Sequence, residues 1–329
     1  MDTPRTRTAW RLAPMCFGVV LLGALILVVL KIGDLKRFVE LVKHARPHWL
    51  LLAVVLQLAT YVFTATVWQR ALRAAGSPRS LSSLVPLGLA KLFTDQALPS
   101  GGLSGTVLLM RGLARRGIDA SAAGQTLLVV VVSFYSAYSL AALAALAVLW
   151  LQHRANLVLV VAVAAFCVLA GGATGVAVGL RKWGRLPVWL VKVPGIADLF
   201  ARVAAAPSTL LRDKRLVAET VLLQLGVFVL DALTFWVIFL ALTESIGPLT
   251  AFTSFIVASV AATLGPTPLG LGTFEGAAVA ALHVLDVDIE AALAATLLLR
   301  GLTFWLPMIP GLWLARREIA PREGTQSRL

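Results

Sequence analysis

The chain has 329 residues, 59% of them hydrophobic, and a formal net charge of +13. Water-soluble domains hold roughly 45–50% apolar residues, so the composition excludes a soluble globule and points to a membrane protein. In a soluble chain this excess of Lys and Arg would suit nucleic acid, but its placement between apolar runs follows the positive-inside rule, and no nucleic-acid partner is expected.

Arg5, Arg7 and Arg11 open the chain, and the run Leu12 to Leu30 is long enough to cross a bilayer, for which about 20 apolar residues suffice. Lys31, Asp34 and Lys36 follow it in place of a small-residue cleavage site, so it reads as a retained first helix. Lys36 to Arg46 is a charged connection, and Trp49 to Trp68 spans again with an aromatic residue at each end. Leu81 to Leu98 contains Pro86, Lys91 and Asp95 and stops at Pro99, and Leu103 to Leu113 is too short to cross alone. Together they predict a re-entrant hairpin with its tip at Pro99 to Gly102, a shape tolerated at membrane depth only where protein or water covers it.

Ala120 to Leu151 and Leu157 to Leu180 predict two spans joined by a loop with His153 and Arg154. Residues 181–215 form a basic cytoplasmic segment in which Trp183, Trp189, Leu199 and Phe200 predict an interfacial piece. Leu216 to Leu242 spans with Asp231 near its centre. Leu249 to Leu264 and Phe274 to Val284 predict a second re-entrant pair, and Ile289 to Leu314 is the last span, with Arg300 near its midpoint. Residues 318–329 are a short tail.

The sum is one all-α polytopic membrane domain of six crossings and two re-entrant hairpins. No Lys or Arg occurs between Arg215 and Arg300, whereas basic groups crowd the N-terminus, the first hairpin, the long loop and the C-terminus. That asymmetry predicts a multi-pass protein of the plasma (inner) membrane with both termini cytoplasmic. A separation of 169 positions superimposes Pro99 on Pro268, Gly101 on Gly270, Ile118 on Val287 and Asp119 on Asp288. Three crossings separate the starts of the two copies, about 47–151 and about 216–315, so the copies run in opposite directions and form an inverted repeat, a transporter plan.

The stretch Leu264 to Arg300 organises the chain: Pro266, Pro268, Gly270, Gly272 and Gly276 break the helix in an apolar context, with Glu275 directly after and Arg300 in the next run. Broken backbone and charge at membrane depth mark a pathway or a binding site. The segment PTPLGLGTFEGAAVAALHVLDVDIEAALAATLLLRGLTFWLPMIPG, with TDQALPSGGLSGTVLLMRGLARRGID upstream, resembles the lysylphosphatidylglycerol synthase transmembrane-domain family, which includes the flippase-like half of the multiple peptide resistance factor. The likeness runs from about Leu12 to Arg317 and is carried by Pro99, Gly101, Gly102, Arg111, Pro268, Gly270, Gly272, Glu275, Arg300 and Pro307. The family commonly has glycine where Leu269 stands. A fused lysyl-transferase domain is absent from this sequence, so the resemblance implies movement of a lipid rather than its synthesis.

The site expected from these residues is a polar pocket for a lipid headgroup. Half-helices that begin after Gly102 and Gly272 would turn unpaired N–H groups toward phosphate. Arg111 and Arg300 are forked phosphate donors, and Asp231 and Glu275 would balance or gate them. Arg300 needs a partner, either Asp231 or Glu275, and a purely structural ion pair stands beside the headgroup reading. Arg111 reads equally as a topology charge. Lys91 and Asp95, four residues apart, read as a local pair, and Asp119 and Asp288 as helix N-caps.

The function read from the sequence is translocation of an anionic or zwitterionic lipid or lipid-linked precursor between leaflets, without enzymatic chemistry. Two other classes stand beside it. One is an intramembrane enzyme, either a protease using Ser104 of the Gly102-Leu103-Ser104-Gly105 segment with His283 as base, or a lipid phosphatase. The other is a non-transporting partner of an envelope-synthesis enzyme. Cys16, Cys167 and the four scattered histidines give no metal-ligating spacing, and neither metal nor cofactor is expected. Self-association and contact with envelope or lipid biosynthesis enzymes are left open.

Overall fold

A computed structural model describes residues 43–97, 102–183, 209–265 and 267–319. All regular structure there is helical. We number the helices α1 (Pro47–Ala74), α2 (Leu81–Ala97), α3 (Leu103–Arg115), α4 (Ala120–Leu151), α5 (Leu157–Trp183), α6 (Lys214–Ala241), α7 (Pro248–Leu264), α8 (Thr273–Val284), α9 (Ile289–Arg300) and α10 (Met308–Ile319). Short 3-10 turns lie at Thr209–Arg212 and Pro268–Gly270, and a π turn, Gly301–Trp305, joins α9 to α10. The Leu12 to Leu30 span, the Pro99 and Gly101 tip residues and most of the 181–215 segment lie outside the described residues.

Among the described residues, five stretches are long and apolar enough to cross a membrane: Pro47–Ala74, Ala120–Leu151, Leu157–Val176, Lys214–Ala241 and Ile289–Glu318. Their outward faces carry Leu51, Leu58, Leu143, Val161, Val168 and Leu222, all largely exposed, as a lipid-facing surface requires. Helices α2 and α7 have 17 residues each. At 1.5 Å per residue such a helix rises about 25 Å, short of the roughly 30 Å hydrocarbon layer.

Local sequence sets the boundaries. Pro47 and Pro248 occupy first-turn positions, where a missing N–H costs nothing. Asp119 accepts a hydrogen bond from Ala122 N at 2.8 Å, and Asp213 does the same for Arg215 N and Leu216 N, so both cap the helices they precede. Asp288 stands at the corresponding position before α9, without a side-chain cap bond.

Helices α1 and α6 pack antiparallel along their full length. Arg46 N bonds Ala241 O, Phe63 fills the space beside Gly226, and Arg70 pairs with Glu219 at 3.6 Å. Each has 28 residues, and their starts and ends are both separated by 167 positions (214 − 47 and 241 − 74). The same separation relates α2 to α7 (248 − 81 and 264 − 97). It is 170 between Gly102 and Gly272, the left-handed residues that open α3 and α8, and 169 between the starts of α4 and α9. The separation thus steps from 167 before the tips to 169–170 after them, where the sequence pairs lie at 169, and α3 is one residue longer than α8 (13 against 12).

Among the described residues, two large apolar clusters and a small one at Ala71, Val129 and Leu216 hold the bundle. One large cluster gathers Trp68, Leu84, Leu87, Leu109 and Leu113 between α1, α2 and α3; the other gathers Phe228, Phe235, Ile256, Leu282 and Leu299 from α6, α7, α8 and α9. Small residues allow the close approaches that membrane helices use. Ala291, Ala292, Ala294 and Ala295 are all fully buried in α9, and a Cβ on Gly311 of α10 would lie 2.6 Å from Phe93 Cβ and 2.9 Å from Leu89 O.

The charges segregate. Arg79 donates to Arg116 O, Arg116 pairs with Glu318 at 2.6 Å, and Arg115 donates to Arg317 O, so the ends of α3 and α10 and the start of α2 share one basic end with Arg70, Arg212 and Arg215. At the opposite end Arg154 pairs with Asp286, among Glu244, Asp288 and Glu290. The α2–α3 hairpin has both its feet at the basic end, and the α7–α8 hairpin has both at the acidic end.

Candidate functional site

Both hairpins reach the middle of the last helical run. Hairpin α7–α8 touches it at Arg300, and hairpin α2–α3 touches it at Thr303, where Gln96 Nε2 meets the Thr303 carbonyl at 3.5 Å. That carbonyl belongs to the π turn, whose wider ring closes from Leu306 N to Gly301 O. Pro307, which lacks an N–H, follows at once. The last span read from the sequence is present as one helical run, Ile289–Glu318, whose hydrogen bonding widens into a π turn beside Arg300, a feature common at functional positions.

Glu275 is 2% exposed and holds two partners. Its Oε1 accepts from Arg300 Nε at 2.6 Å, and its Oε2 accepts from the backbone N–H of Gly272 at 2.7 Å. The second bond returns a carboxylate from the third helical position to the residue before the helix, where the helix dipole also favours negative charge. Of the two partners open to Arg300 in the sequence, the structure selects Glu275. The guanidinium also lies between two rings, 5.1 Å from Phe274 and 5.0 Å from Phe304, and Nη2 approaches Leu269 O at 3.4 Å. These bonds engage two of its five N–H donors.

The backbone around it is bent by left-handed residues: Leu269 (φ 62), Gly270 (φ 65) and Gly272 (φ 79). A Cβ on Gly270 would lie 2.6 Å from Ala262 Cβ, so glycine brings the tip against the end of α7. Leu269 bears the left-handed strain with a side chain, which costs about 1–2 kcal/mol, against about 0.5–1 kcal/mol of chain entropy that glycine would lose. Leu269→Gly should therefore leave the protein equally stable or more stable by up to about 1.5 kcal/mol, measured by unfolding in detergent.

Hairpin α2–α3 builds a comparable arrangement from different positions. Asp95 Oδ2 pairs with Lys91 Nζ at 2.6 Å, while Oδ1 accepts from Gly105 N at 2.9 Å. The Lys91–Asp95 pair expected from spacing is present, and Asp95 in addition ties the two halves of the hairpin together. Ser104 Oγ donates to Thr94 O at 3.1 Å across the same gap. A Cβ on Gly105 would collide with Asp95 Oδ1, so Gly105→Ala must displace that carboxylate. The expected loss is about 1–3 kcal/mol of stability, read as a lowered unfolding midpoint.

The other expected residues are dispersed. Arg111 is on the exposed face of α3, two turns beyond Gly105, and does not join Arg300. Pro268 sits in the 3-10 turn before Leu269. Asp231 lies at the α1–α6 interface beside Gln57 and Tyr61 rather than against Arg300. Ser104 is at a hairpin tip, whereas His283 is exposed in the last turn of α8 at the acidic end, so the two form no nucleophile–base pair here. Among the described residues no group of three His, Cys, Asp or Glu side chains converges as a metal site would.

The chain matches the family described as Lysylphosphatidylglycerol synthase TM region over residues 15–311. It is also similar to a UPF0104 membrane protein of Methanocaldococcus jannaschii, with 20% identity over 320 residues, covering 91% of this chain and 94% of the archaeal one.

Proposed function

Because the chain belongs to the lysylphosphatidylglycerol synthase transmembrane-region family, we propose that it moves a phosphate-bearing lipid, anionic or zwitterionic, between the two leaflets of the plasma membrane. One observation carries this reading: hairpins entering from opposite ends bring their tips to one turn of the last helix, at Arg300 and Thr303. In a bilayer these would be re-entrant hairpins, and the matched lengths of α1 and α6 and of α2 and α7 would be the two halves of an inverted repeat. The basic end would face the cytoplasm and hold both termini, and the Leu12 to Leu30 run would supply the sixth crossing.

In this mechanism a headgroup phosphate competes with Glu275 for Arg300 while the acyl chains stay in the bilayer. Arg300 offers a planar fork suited to phosphate. Glu275 keeps its bond to Gly272 N when the guanidinium turns away, so the carboxylate is never left without a donor. The positive half-helix ends after Gly102 and Gly272 add to the attraction. No bond is made or broken in the lipid, and the reading assigns no enzymatic step.

The test uses purified protein in vesicles that contain headgroup-labelled phosphatidylglycerol or phosphatidylethanolamine and an impermeant quencher outside. Quenching should proceed beyond the outer-leaflet label with the wild type and stop there with Arg300→Ala. Quenching confined to the outer leaflet for every lipid tried would reject transport.

A further inference from the structure

The ends of α3 and α10 carry a basic surface that the headgroup site does not use. Arg111 and Arg115, four residues apart, share one face of α3. Arg115 Nη1 donates to Arg317 O at 3.2 Å, so that face borders the last turn of α10. On α10 the exposed residues Ile309, Trp313, Arg316 and Arg317 recur at helical spacing and form one outward stripe. The Arg317 guanidinium lies over the Trp313 ring, 3.4 Å from its centroid. The stripe therefore passes from apolar to aromatic to basic toward the helix end, the order found at a membrane interface.

These cations lack a protein counterion. Among the described residues, Arg111 and Arg316 make no hydrogen bond or ion pair, and Arg317 uses its guanidinium only against Trp313. The described acids of the basic end are engaged elsewhere. Glu318 is held by the Arg116 fork, Glu219 by Arg70 and Arg215, and Asp119 and Asp213 cap their helices. Like charges gathered from two helices repel one another unless an anion lies among them.

Depth and surroundings select the anion. Arg111 is one turn, about 6 Å, closer to the hairpin tip than Arg115. The headgroup layer of one leaflet is roughly 5–8 Å thick, so the basic surface reaches from its outer edge to the level of the lipid phosphates. Below it Ile309 and Trp313, 77% and 54% exposed, continue as apolar surface suited to acyl chains. A guanidinium fork matches a phosphate. A zwitterionic lipid would bring its own cation against the arginines, which favours a lipid of net negative charge.

We propose that Arg111, Arg316 and Arg317 bind the phosphate of an anionic phospholipid in the basic-end leaflet, with Arg115 holding α3 and α10 in register. This lipid is retained, not moved, and bridges hairpin α2–α3 to α10 beside the Arg116–Glu318 pair. The site is separate from Arg300 and does not depend on the transport reading.

Native mass spectrometry tests it on the full chain released from bilayer discs of equal phosphatidylglycerol and phosphatidylethanolamine. The wild type should retain phosphatidylglycerol preferentially. Each arginine removed should weaken that retention about fivefold, so Arg111→Gln combined with Arg317→Gln should lower it about 25-fold. Arg73→Gln combined with Lys214→Gln, which removes two exposed cations from the same end, should leave it unchanged, as should Arg300→Ala. Equal retention of the two lipids by the wild type would overturn the proposal. So would an equal fall in the Arg73 and Lys214 variant, which would make the effect one of general basic charge. Loss in Arg300→Ala with retention in the Arg111 and Arg317 variant would place the lipid in the headgroup site and overturn it too. The expected pattern in protein that moves no lipid would leave this site standing and remove the transport reading instead.

Discussion

Glu275→Ala is expected to cost about 3–5 kcal/mol of stability and to stop lipid movement. The size follows from what is left behind. Arg300, 15% exposed and between two aromatic rings, would keep its charge with no carboxylate at 2.6 Å, and Gly272 N would lose its acceptor. An unpaired buried charge is far more costly than a missing surface pair. Glu275→Gln should fall between, because the amide oxygen can still accept from Gly272 N while the countercharge is gone. Unfolding in detergent micelles gives both values. A change within about 0.5 kcal/mol, as at an ordinary surface position, would show that the pair does not hold α8 to α9.

The second large effect separates structure from function. Glu275→Gln combined with Arg300→Met removes both charges, retains the acceptor for Gly272 N, and places a flexible thioether between Phe274 and Phe304. Replacing both members of a buried ion pair by residues of similar volume is often nearly neutral or stabilising, so most of the stability lost in Glu275→Ala should return. Lipid movement should stay as low as in Arg300→Ala, because phosphate has lost its donor. Recovery of stability and transport together would make the ion pair a structural device and move the headgroup site elsewhere.

Much of this was legible in the sequence because membrane helices announce themselves by length. Ala120–Leu151 has the bounds read from the sequence, and the other described spans differ by a few residues at their ends. The clustered Pro and Gly from Pro266 to Gly276 located the second tip, and Glu275 and Arg300 stood out as charges in apolar runs. Their pairing was not legible, since Asp231 lies in a comparable apolar run, and only the bend at Leu269 to Gly272 turns Glu275 toward α9. The double role of Asp95 leaves no local trace, because its second partner is a backbone N–H ten residues on whose approach depends on the tip geometry. The π turn had weak forerunners in Gly301 and Pro307.

A headgroup route requires the two hairpins to meet in a water-reached pocket at Arg300 and Thr303. Thiol accessibility tests this most directly, in membranes that contain the full chain with Cys16 and Cys167 replaced by serine. Cysteines at Gln96 and Thr303 should react with a small membrane-impermeant thiol reagent, and a cysteine at lipid-facing Leu140 should not. If Gln96→Cys and Thr303→Cys were as unreactive as Leu140→Cys from both sides of the membrane, the pocket would be closed to water and the proposed headgroup route contradicted.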